Sequence, residues 1–335
     1  MSSSVMLEQA LDFPRQLVSG LAAAAEVRVA DRRPEAVALC GLGGSAAGGR
    51  LLAALFADRL AVPVVAVDTT DLPAWVGDDT LVVCTSYSGA TAETLAWWHQ
   101  AADRGAMRAA VTAGGPLREL AAEAADPCVV VEGGLQPRGA LGLLLGALTG
   151  LLDQVGAASG SAAVLARAVP AVEAAVAAER ADGSAARQDA ERLAGRVIVL
   201  YGSAARAAAA VRLKNQLNEN AKATAFAGAL PEIAHNEVLG WLGTARHGLP
   251  CAAVFLRDED ESPAAAALHD RIQSLVAGDV DTVLAWRGAG GSELERTLAL
   301  LVYGDVVSCR LADYEGVEAL DITRLSALKS TGNPR

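Results

Sequence analysis

The sequence predicts an α/β protein with two doubly wound parallel-sheet domains in tandem. Short runs of Val, Leu and Ala are followed by Gly/Ser turns and then by Ala/Leu-rich stretches of helical length. This alternation is typical of parallel strands joined by crossover helices. The same order occurs twice within 335 residues, a length sufficient for two domains. Hydrophobic residues make up 52% of the chain and aromatic residues only 4%, so Ala, Val and Leu must fill the cores.

In the first half, each predicted strand is an apolar run that ends at a turn signal. The predicted strands are Val37–Cys40, Val62–Val67, Thr80–Thr85, Arg108–Thr112 and Val129–Glu132. The predicted helices are Ala46–Leu60, Thr91–Asp103, Leu117–Ala124 and one that contains Ala140–Leu152. That last run is too short to span a bilayer, so we expect a buried helix there.

The second half repeats this order. Val197–Tyr201, Ala252–Arg257 and Val280–Trp286 are predicted strands equivalent to the first, third and fourth strands of the first half. The turn after the first of them aligns Ser203 with Ser45, 158 positions apart (203 − 45). This repetition predicts two copies of one doubly wound domain.

The domain boundaries follow from a change of composition between the repeats. From Gly160 to Arg196 the chain is rich in Ala, Glu and Arg, which predicts a helical connector with a break at Gly183-Ser184. We therefore predict an N-terminal domain at 1–155, a connector at 156–195 and a C-terminal domain at 196–335.

Charge and cysteine content narrow the class of protein. The net charge of −11 argues against nucleic acid and anionic membranes as partners, so local donors must hold any anionic substrate. The chain does not start with the basic and then apolar residues of a secretory signal, so we expect a cytoplasmic location. The five cysteines are scattered without metal-ligand spacing, which favours buried thiols and predicts neither a metal nor another cofactor.

Two strand-to-helix turns of the first half have the composition of an anion site. The turn 85–91 carries the hydroxyls of Ser86, Ser88 and Thr91, and Gly44-Ser45 follows the neighbouring strand. Hydroxyls and free backbone N–H groups at the start of a helix can converge on one phosphate. Each turn alone is also compatible with an ordinary tight turn or helix cap. The second repeat is acidic at 258–260, so we expect one phosphate site per chain.

The segment Lys214–Trp241 differs from its Ala/Leu-rich surroundings. It holds four of the five asparagines and two of the three lysines, together with Glu219, His235 and Glu237. Buried amides and charges are costly unless each is paired, so this composition favours a polar site over core packing.

These features together resemble a known family. The matching segments are Gly41–Gly49, Thr85–Thr94, Gln136–Arg138, Lys214–Trp241 and Gly316–Lys329. They resemble the bifunctional phosphoglucose/phosphomannose isomerases, which are built from two sugar isomerase (SIS) domains of flavodoxin-like topology. The resemblance implies reversible, metal-independent isomerisation of glucose 6-phosphate or mannose 6-phosphate with fructose 6-phosphate.

The resemblance also implies roles for particular residues. The 6-phosphate would be bound by Gly44, Ser45, Ser86, Ser88 and Thr91. Proton transfer between C1 and C2 through a cis-enediol would use Glu219 as the base, with Arg138 stabilising the enediolate. Ring opening would use His235, assisted by Lys329. Family members are homodimers, in which His235 would enter the partner's site.

Simpler explanations stay open for each of these residues. Glu219 could be a solvated helix-end acid, His235 a loop histidine satisfied by backbone, Arg138 a surface arginine after Pro137, and Lys329 a solvated terminal lysine. The chain could likewise be a non-catalytic sugar-phosphate sensor, or an isomerase of an amino-sugar or pentose phosphate. Both Glu219 and His235 favour an enzyme, because a sensor needs neither.

Overall fold

The computed structural model describes residues 2–29, 32–181 and 183–331. It divides into two compact units. The N-terminal unit comprises Leu11–Val176 with Ala289–Ala299, and the C-terminal unit comprises Met1–Ala10, Ala177–Gly288 and Leu300–Arg335. The boundaries at 155 and 195 that the sequence suggests stay predictions.

The strands and helices alternate along most of the chain. The strands are β1 (Ala36–Cys40), β2 (Val64–Val67), β3 (Thr80–Thr85), β4 (Met107–Thr112), β5 (Cys128–Val130), β6 (Val197–Gly202), β7 (Ala225–Ala229), β8 (Cys251–Leu256) and β9 (Thr282–Trp286). The helices are α1 (Ser2–Leu11), α2 (Phe13–Ala25), α3 (Gly44–Leu55), α4 (Ala92–Asp103), α5 (Gly115–Glu123), α6 (Leu141–Gln154), α7 (Ser161–Arg180), α8 (Ala185–Leu193), α9 (Ala205–Asn220), α10 (Trp241–His247), α11 (Pro263–Val276), α12 (Glu293–Glu315) and α13 (Thr323–Thr331).

The N-terminal unit contains a five-stranded parallel sheet in the order β2-β1-β3-β4-β5. β1 lies between β2 and β3, so the direction in which the sheet grows reverses between β1 and β3. This is the doubly wound order that the sequence predicts. In such sheets ligands bind beyond the carboxyl ends of the two strands at the reversal, the switch point.

The C-terminal unit contains a four-stranded parallel sheet in the order β7-β6-β8-β9, with the same reversal between β6 and β8. The predicted fold class is therefore confirmed. β7 was not predicted from the sequence, because its Ala-Phe-Ala-Gly-Ala composition is poor in the β-branched residues that favour strands.

The helix pair α2 and α6 makes close backbone contact in the N-terminal unit. A Cβ added at Gly20 would lie 2.2 Å from the Leu143 carbonyl oxygen, and one at Gly146 would lie 2.4 Å from that of Leu17. The Gln16 side chain, also buried, accepts a hydrogen bond of 3.1 Å from the Gly142 N–H. α6 is thus the buried helix that the apolar run 140–152 predicts.

The two repeats align differently from the sequence-based prediction. A Cβ at Gly41 would meet the backbone four residues on, and the same holds at Gly202. The N-caps of α3 and α9, Gly43 and Ala204, share left-handed φ angles of 56° and 49°. Both pairs give an offset of 161 (202 − 41 and 204 − 43), so the predicted offset of 158 is wrong.

This corrected offset changes which residues are equivalent. Ser45 of the N-terminal unit corresponds to Arg206 of the C-terminal unit (206 − 45 = 161), and not to Ser203. Glycine and serine are common in such turns. Aligning the two repeats by these residue types alone therefore gave an offset that is wrong by three residues.

The predicted connector is helical and broken where expected. α7 and α8 flank Gly183-Ser184, and the Ser184 hydroxyl accepts a 3.2 Å hydrogen bond from the Ala186 N–H as the N-cap of α8. Among the described residues, α7 alone is long and apolar enough to cross a membrane, a weak indication. Its buried residues recur at one-turn spacing, whereas Arg167 and Glu173 on its other face are exposed.

Candidate functional site

The two predicted phosphate-binding turns touch at the switch point of the N-terminal unit. One follows β1 and starts α3, and the other joins β3 to α4. The Tyr87 N–H donates a 3.2 Å hydrogen bond to the Ser45 hydroxyl, linking the turns directly. The topology therefore brings together Gly44, Ser45, Ser86, Ser88 and Thr91.

The hydroxyl groups of the second turn form a short network. The hydroxyls of Ser86 and Thr91 lie 2.9 Å apart, and the Ser88 hydroxyl accepts a 3.3 Å bond from the Ala90 N–H. Ser86 is buried and Ser88 is exposed, so the hydroxyls of this turn are distributed from the sheet edge to solvent.

Two helices begin at these turns without a side-chain cap. Gly43 is the N-cap of α3 and Thr91 that of α4, and neither accepts a capping hydrogen bond from its helix in the described structure. Thr91 has the right side chain for a cap, but its hydroxyl contacts Ser86 instead. Uncapped helix starts keep backbone N–H groups and the positive end of the helix dipole available for an anion.

Arg138 lies beside the first turn. A Cβ added at Gly44 would lie 2.8 Å from the Pro137 carbonyl oxygen and 3.1 Å from the Cα of Arg138, so the two backbones are in contact. The Arg138 side chain is only 4% exposed, which excludes the surface arginine considered above.

Tyr87 is a residue that the sequence reasoning missed. Its hydroxyl donates to the Glu132 carbonyl oxygen at 2.9 Å and accepts from the Leu135 N–H at 3.0 Å. Tyr87 thereby fixes the segment that leads into Arg138 to the turn that carries Ser86 and Ser88. Its position between two serines was the available signal.

Glu219 lies in the C-terminal unit as the penultimate residue of α9. Its side chain is partly exposed. Lys222 follows in a left-handed conformation, and its ammonium group donates to the carbonyl oxygens of Glu219 at 2.7 Å and Glu318 at 2.8 Å. Lys222 thus caps the end of the helix that carries Glu219.

The asparagines around Glu219 hydrogen-bond to the protein itself. The side-chain amide of Asn218 donates to the Ala223 carbonyl oxygen at 2.9 Å, and that of Asn220 donates to the Ser308 hydroxyl at 2.9 Å. Asn220 is completely buried. The amide-rich composition of this segment is therefore explained in good part by its own folding.

His235 ends a short 3₁₀ helix, Glu232–His235, and its side chain is exposed. Lys329 belongs to α13, but its side chain lies outside the described residues, so its role stays a prediction. In the described part of the chain, no group of three or more His, Cys, Asp or Glu side chains is arranged to hold a metal ion.

The cysteines match their prediction in most cases. Cys40, Cys84, Cys251 and Cys309 are buried, Cys128 is partly buried, and all five are free thiols. Burial raises the pKa of the Cys40 thiol to about 12, which keeps it protonated and unreactive.

The doubly wound sheet order and the paired turns indicate the sugar isomerase (SIS) class of α/β domain, and solved structures have the same fold. Tagatose-6-phosphate ketose/aldose isomerase from Escherichia coli has the same fold, with a TM-score of 0.72 at 16% identity over 94% of this chain and 95% of that one. Residues 183–331 match the family model for the bacterial phospho-glucose isomerase C-terminal SIS domain.

Comparison with curated proteins identifies the family. The chain is 31% identical to the bifunctional phosphoglucose/phosphomannose isomerase of Caldicellulosiruptor bescii, over 97% of this chain and 98% of the relative. It is also 32% identical to the D-glucosamine-6-phosphate 4-epimerase of Sulfolobus acidocaldarius, over 61% of this chain and 63% of the relative. The chain belongs to the bifunctional phosphoglucose/phosphomannose isomerase family, as the resemblance indicated.

Proposed function

We propose that this protein is a phosphosugar isomerase that interconverts glucose 6-phosphate or mannose 6-phosphate with fructose 6-phosphate. One observation carries the proposal: a chain similar along its whole length to isomerases named for these sugars has both a hydroxyl-lined switch point and a carboxylate at the end of α9.

The phosphate group is held by the N-terminal unit. Ser45, Ser86, Ser88 and Thr91 supply hydroxyl donors, and Gly44 lets the backbone of α3 approach the anion closely. These donors, with the positive ends of two helices, offset a net charge of −11 that otherwise repels a phosphate ester. With the phosphate held in this way, the sugar carbons remain free to lie beside a base.

Proton transfer needs a base, a stabiliser of the oxyanion and an acid for ring opening. Glu219 takes the proton from one of the two adjacent carbons and returns it to the other. Arg138 stabilises the enediolate that forms between these steps, because its guanidinium group is always charged. His235, with Lys329, opens the sugar ring.

The second copy of the chain completes this arrangement. His235 is exposed in the single chain, which suits a residue that enters the site of a partner in a homodimer. We expect the enzyme to work in the cytoplasm on free hexose 6-phosphates, without nucleic acid or membrane as a partner.

The test is incubation with fructose 6-phosphate in D₂O, with a chelator present, followed by NMR. Glucose 6-phosphate or mannose 6-phosphate that carries deuterium at C2 is the expected product, because an enediol exchanges the transferred proton with solvent. Calorimetric binding of fructose 6-phosphate without any product would instead indicate a sensor.

An amino-sugar phosphate is the second candidate substrate, because a relative at 32% identity is named as an epimerase of D-glucosamine 6-phosphate. A substrate panel that includes glucosamine 6-phosphate separates the two. Turnover of the amino sugar alone would replace the hexose 6-phosphates in the proposal.

A further inference from the structure

A buried tyrosine meets the segment that carries His235. Tyr201 lies at the end of β6 and is completely buried. Its hydroxyl donates a 2.5 Å hydrogen bond to the Glu237 carboxylate and accepts a 3.0 Å bond from the indole N–H of Trp241. The rings of Tyr201 and Trp241 meet edge to face, with centroids 6.3 Å apart. One hydroxyl therefore ties a core strand to two points just after His235.

Further hydrogen bonds carry this anchorage back towards His235. Asn236, its immediate neighbour, accepts a 2.6 Å bond from the Glu237 N–H and donates a 3.0 Å bond to the Glu232 carboxylate. The residues on either side of His235 are thus connected to Tyr201 through Glu237. Ile233 adds an apolar contact, because it is buried in the same core cluster as Tyr201.

The tyrosine is suited to act as a permanent donor. Burial, and the Glu237 carboxylate beside it, raise the pKa of the Tyr201 hydroxyl well above its usual range, so the proton stays on the hydroxyl at any working pH. A hydrogen bond from a buried hydroxyl to a charged carboxylate is stronger than one between neutral groups. Glu232, His235, Asn236 and Glu237 are all exposed, so the buried Tyr201 hydroxyl is a contact between these side chains and the core.

We propose that Tyr201, together with Trp241 and Glu237, is a positioning residue that sets the orientation of the His235 segment. It explains why Glu237 and Trp241 belong to the unusual segment 214–241, although neither has a role in the proposed chemistry. The inference rests on the proposed function for the role of His235, but the hydrogen bonds that support it do not depend on that function.

The same unit contains a second cluster of the same chemistry, which provides a matched control. The Tyr303 hydroxyl donates to the Asp189 carboxylate at 2.6 Å, and the indole N–H of Trp286 donates to the same carboxylate at 2.8 Å. The two rings meet edge to face at 5.4 Å. This cluster joins α8, β9 and α12, and none of the predicted catalytic residues lies on those elements.

The experiment compares Tyr201→Phe with Tyr303→Phe, each in the natural background and in His235→Ala. Both tyrosine variants remove one hydrogen bond to a carboxylate and keep the ring. Tyr201→Phe also removes the acceptor of the Trp241 indole N–H, whereas in Tyr303→Phe the Trp286 N–H keeps the Asp189 carboxylate. We expect Tyr201→Phe to lower kcat about tenfold with KM changed less than about twofold, because loss of a hydrogen bond to a charged group is of this size. In the His235→Ala background the same change should lower kcat less than about twofold, since residues that act through one another are not additive. Tyr303→Phe should change kcat by less than about twofold in both.

A second readout does not require activity. Histidine-selective NMR, with the His235 signal assigned by His235→Ala, should show a shifted or broadened His235 resonance in Tyr201→Phe and not in Tyr303→Phe. Glu237→Gln, which keeps an acceptor oxygen, replaces Tyr201→Phe if the latter does not fold. Its effect on kcat and on the His235 resonance should lie between those expected for Tyr303→Phe and Tyr201→Phe. Equal effects of both tyrosine variants, or a Tyr201→Phe effect that persists in His235→Ala, would overturn the proposal. If the natural protein turns over no sugar phosphate, the proposed function fails and the NMR comparison alone decides the positioning role.

Discussion

The switch points of the two units have the same topology but carry different polar side chains. In the N-terminal unit Ser45 and Ser86 carry hydroxyls, and in the C-terminal unit the two equivalent positions carry guanidinium groups. Ser45 corresponds to Arg206, and the register of the third strands, with Cys84 equivalent to Phe255, relates Ser86 to Arg257 (255 − 84 = 257 − 86 = 171). One fold has thus produced two differently equipped crevices.

The guanidinium groups of the C-terminal unit are already matched by carboxylates of the same chain. Arg206 lies 2.8 Å from Asp258, and Arg257 lies 2.8 Å from Glu261 and 2.7 Å from Asp270. The first two pairs are buried. The N–H donors that an external phosphate would need are therefore bonded to carboxylates of the same chain. This supports the prediction of one phosphate site per chain.

The helix caps show the same contrast. Thr91 and Ser262 are equivalent N-caps (262 − 91 = 171). The Ser262 hydroxyl accepts a 3.2 Å capping bond from the Ala265 N–H, whereas Thr91 makes no such bond in the described structure. A closed cap stabilises its helix. An open one leaves backbone donors available, which supports the phosphate site proposed for the N-terminal unit.

The largest expected effect is the loss of the buried ion pair of the C-terminal unit. Asp258→Ala leaves the Arg206 charge buried without this carboxylate and should lower the free energy of unfolding by about 3–5 kcal/mol. Urea denaturation measures it, with Ser86→Ala as the control from the other switch point, expected to cost about 1 kcal/mol. Equal losses in the two variants would mean that the switch points do not differ as described.

Glu219→Gln tests the contribution of the C-terminal unit to chemistry. We expect kcat to fall by at least about 100-fold, the lower range for general acid–base catalysis, because an amide cannot accept the proton. KM should change little, since the residues proposed to bind the phosphate lie in the other unit. Steady-state kinetics with fructose 6-phosphate measure both, and Glu173→Gln on the exposed face of α7 is the control. Turnover close to the natural rate would remove Glu219 from the mechanism.

Ser88→Ala tests the hydroxyl-lined switch point, and Ser203→Ala, in the turn after β6 of the C-terminal unit, is its control. Loss of one hydrogen bond to a charged phosphate should raise the Kd for inorganic phosphate about tenfold in Ser88→Ala. Some loss of kcat is also expected, because phosphate contacts can be used at the reacting carbon. Ser203→Ala should stay within about twofold. Calorimetry decides, and an equal effect at both serines would contradict the one-site prediction.

The smallest effect concerns the acid sensitivity of the C-terminal unit. Burial and the charge of Arg257 lower the pKa of His269, despite the opposing effect of the Glu261 carboxylate 3.0 Å away. The unfolded chain binds a proton at this histidine at a higher pH than the folded chain does, so stability falls as the pH falls below about 6.5. We expect a lower free energy of unfolding at pH 5.5 than at pH 7. Urea midpoints at the two pH values should differ less in His269→Gln, and an unchanged difference would exclude His269 as the cause.

The sequence predicted the fold where apolar runs and turns are regular. β3 lies at Thr80–Thr85 as predicted, and the other predicted strands are within two residues of their observed bounds. α1 and α2 were not predicted, and neither was β7, whose Ala- and Gly-containing sequence lacks an alternating or β-branched pattern.

The candidate site was predictable where its residues are close in the chain. Ser86, Ser88 and Thr91 share one turn, and their chemistry is readable from their spacing. The partners of Lys222, Asn220 and Tyr201 lie far along the chain, at residues such as Glu318, Ser308 and Glu237. Nothing in local composition specifies such long-range pairs, so the sequence suggested a ligand site where part of the polarity stabilises the fold.

The glycines between α2 and α6 determine where this protein tolerates change. Gly142, Gly146 and Gly150 recur every four residues along one side of α6, and a methyl group at any of them would collide with α2. In a library that seeks a new sugar preference, these positions should reject nearly every substitution, while an exposed position such as Glu173 accepts many. Directed evolution would therefore find its freedom at exposed positions and its strictest limits in a buried helix pair, whichever sugar is selected.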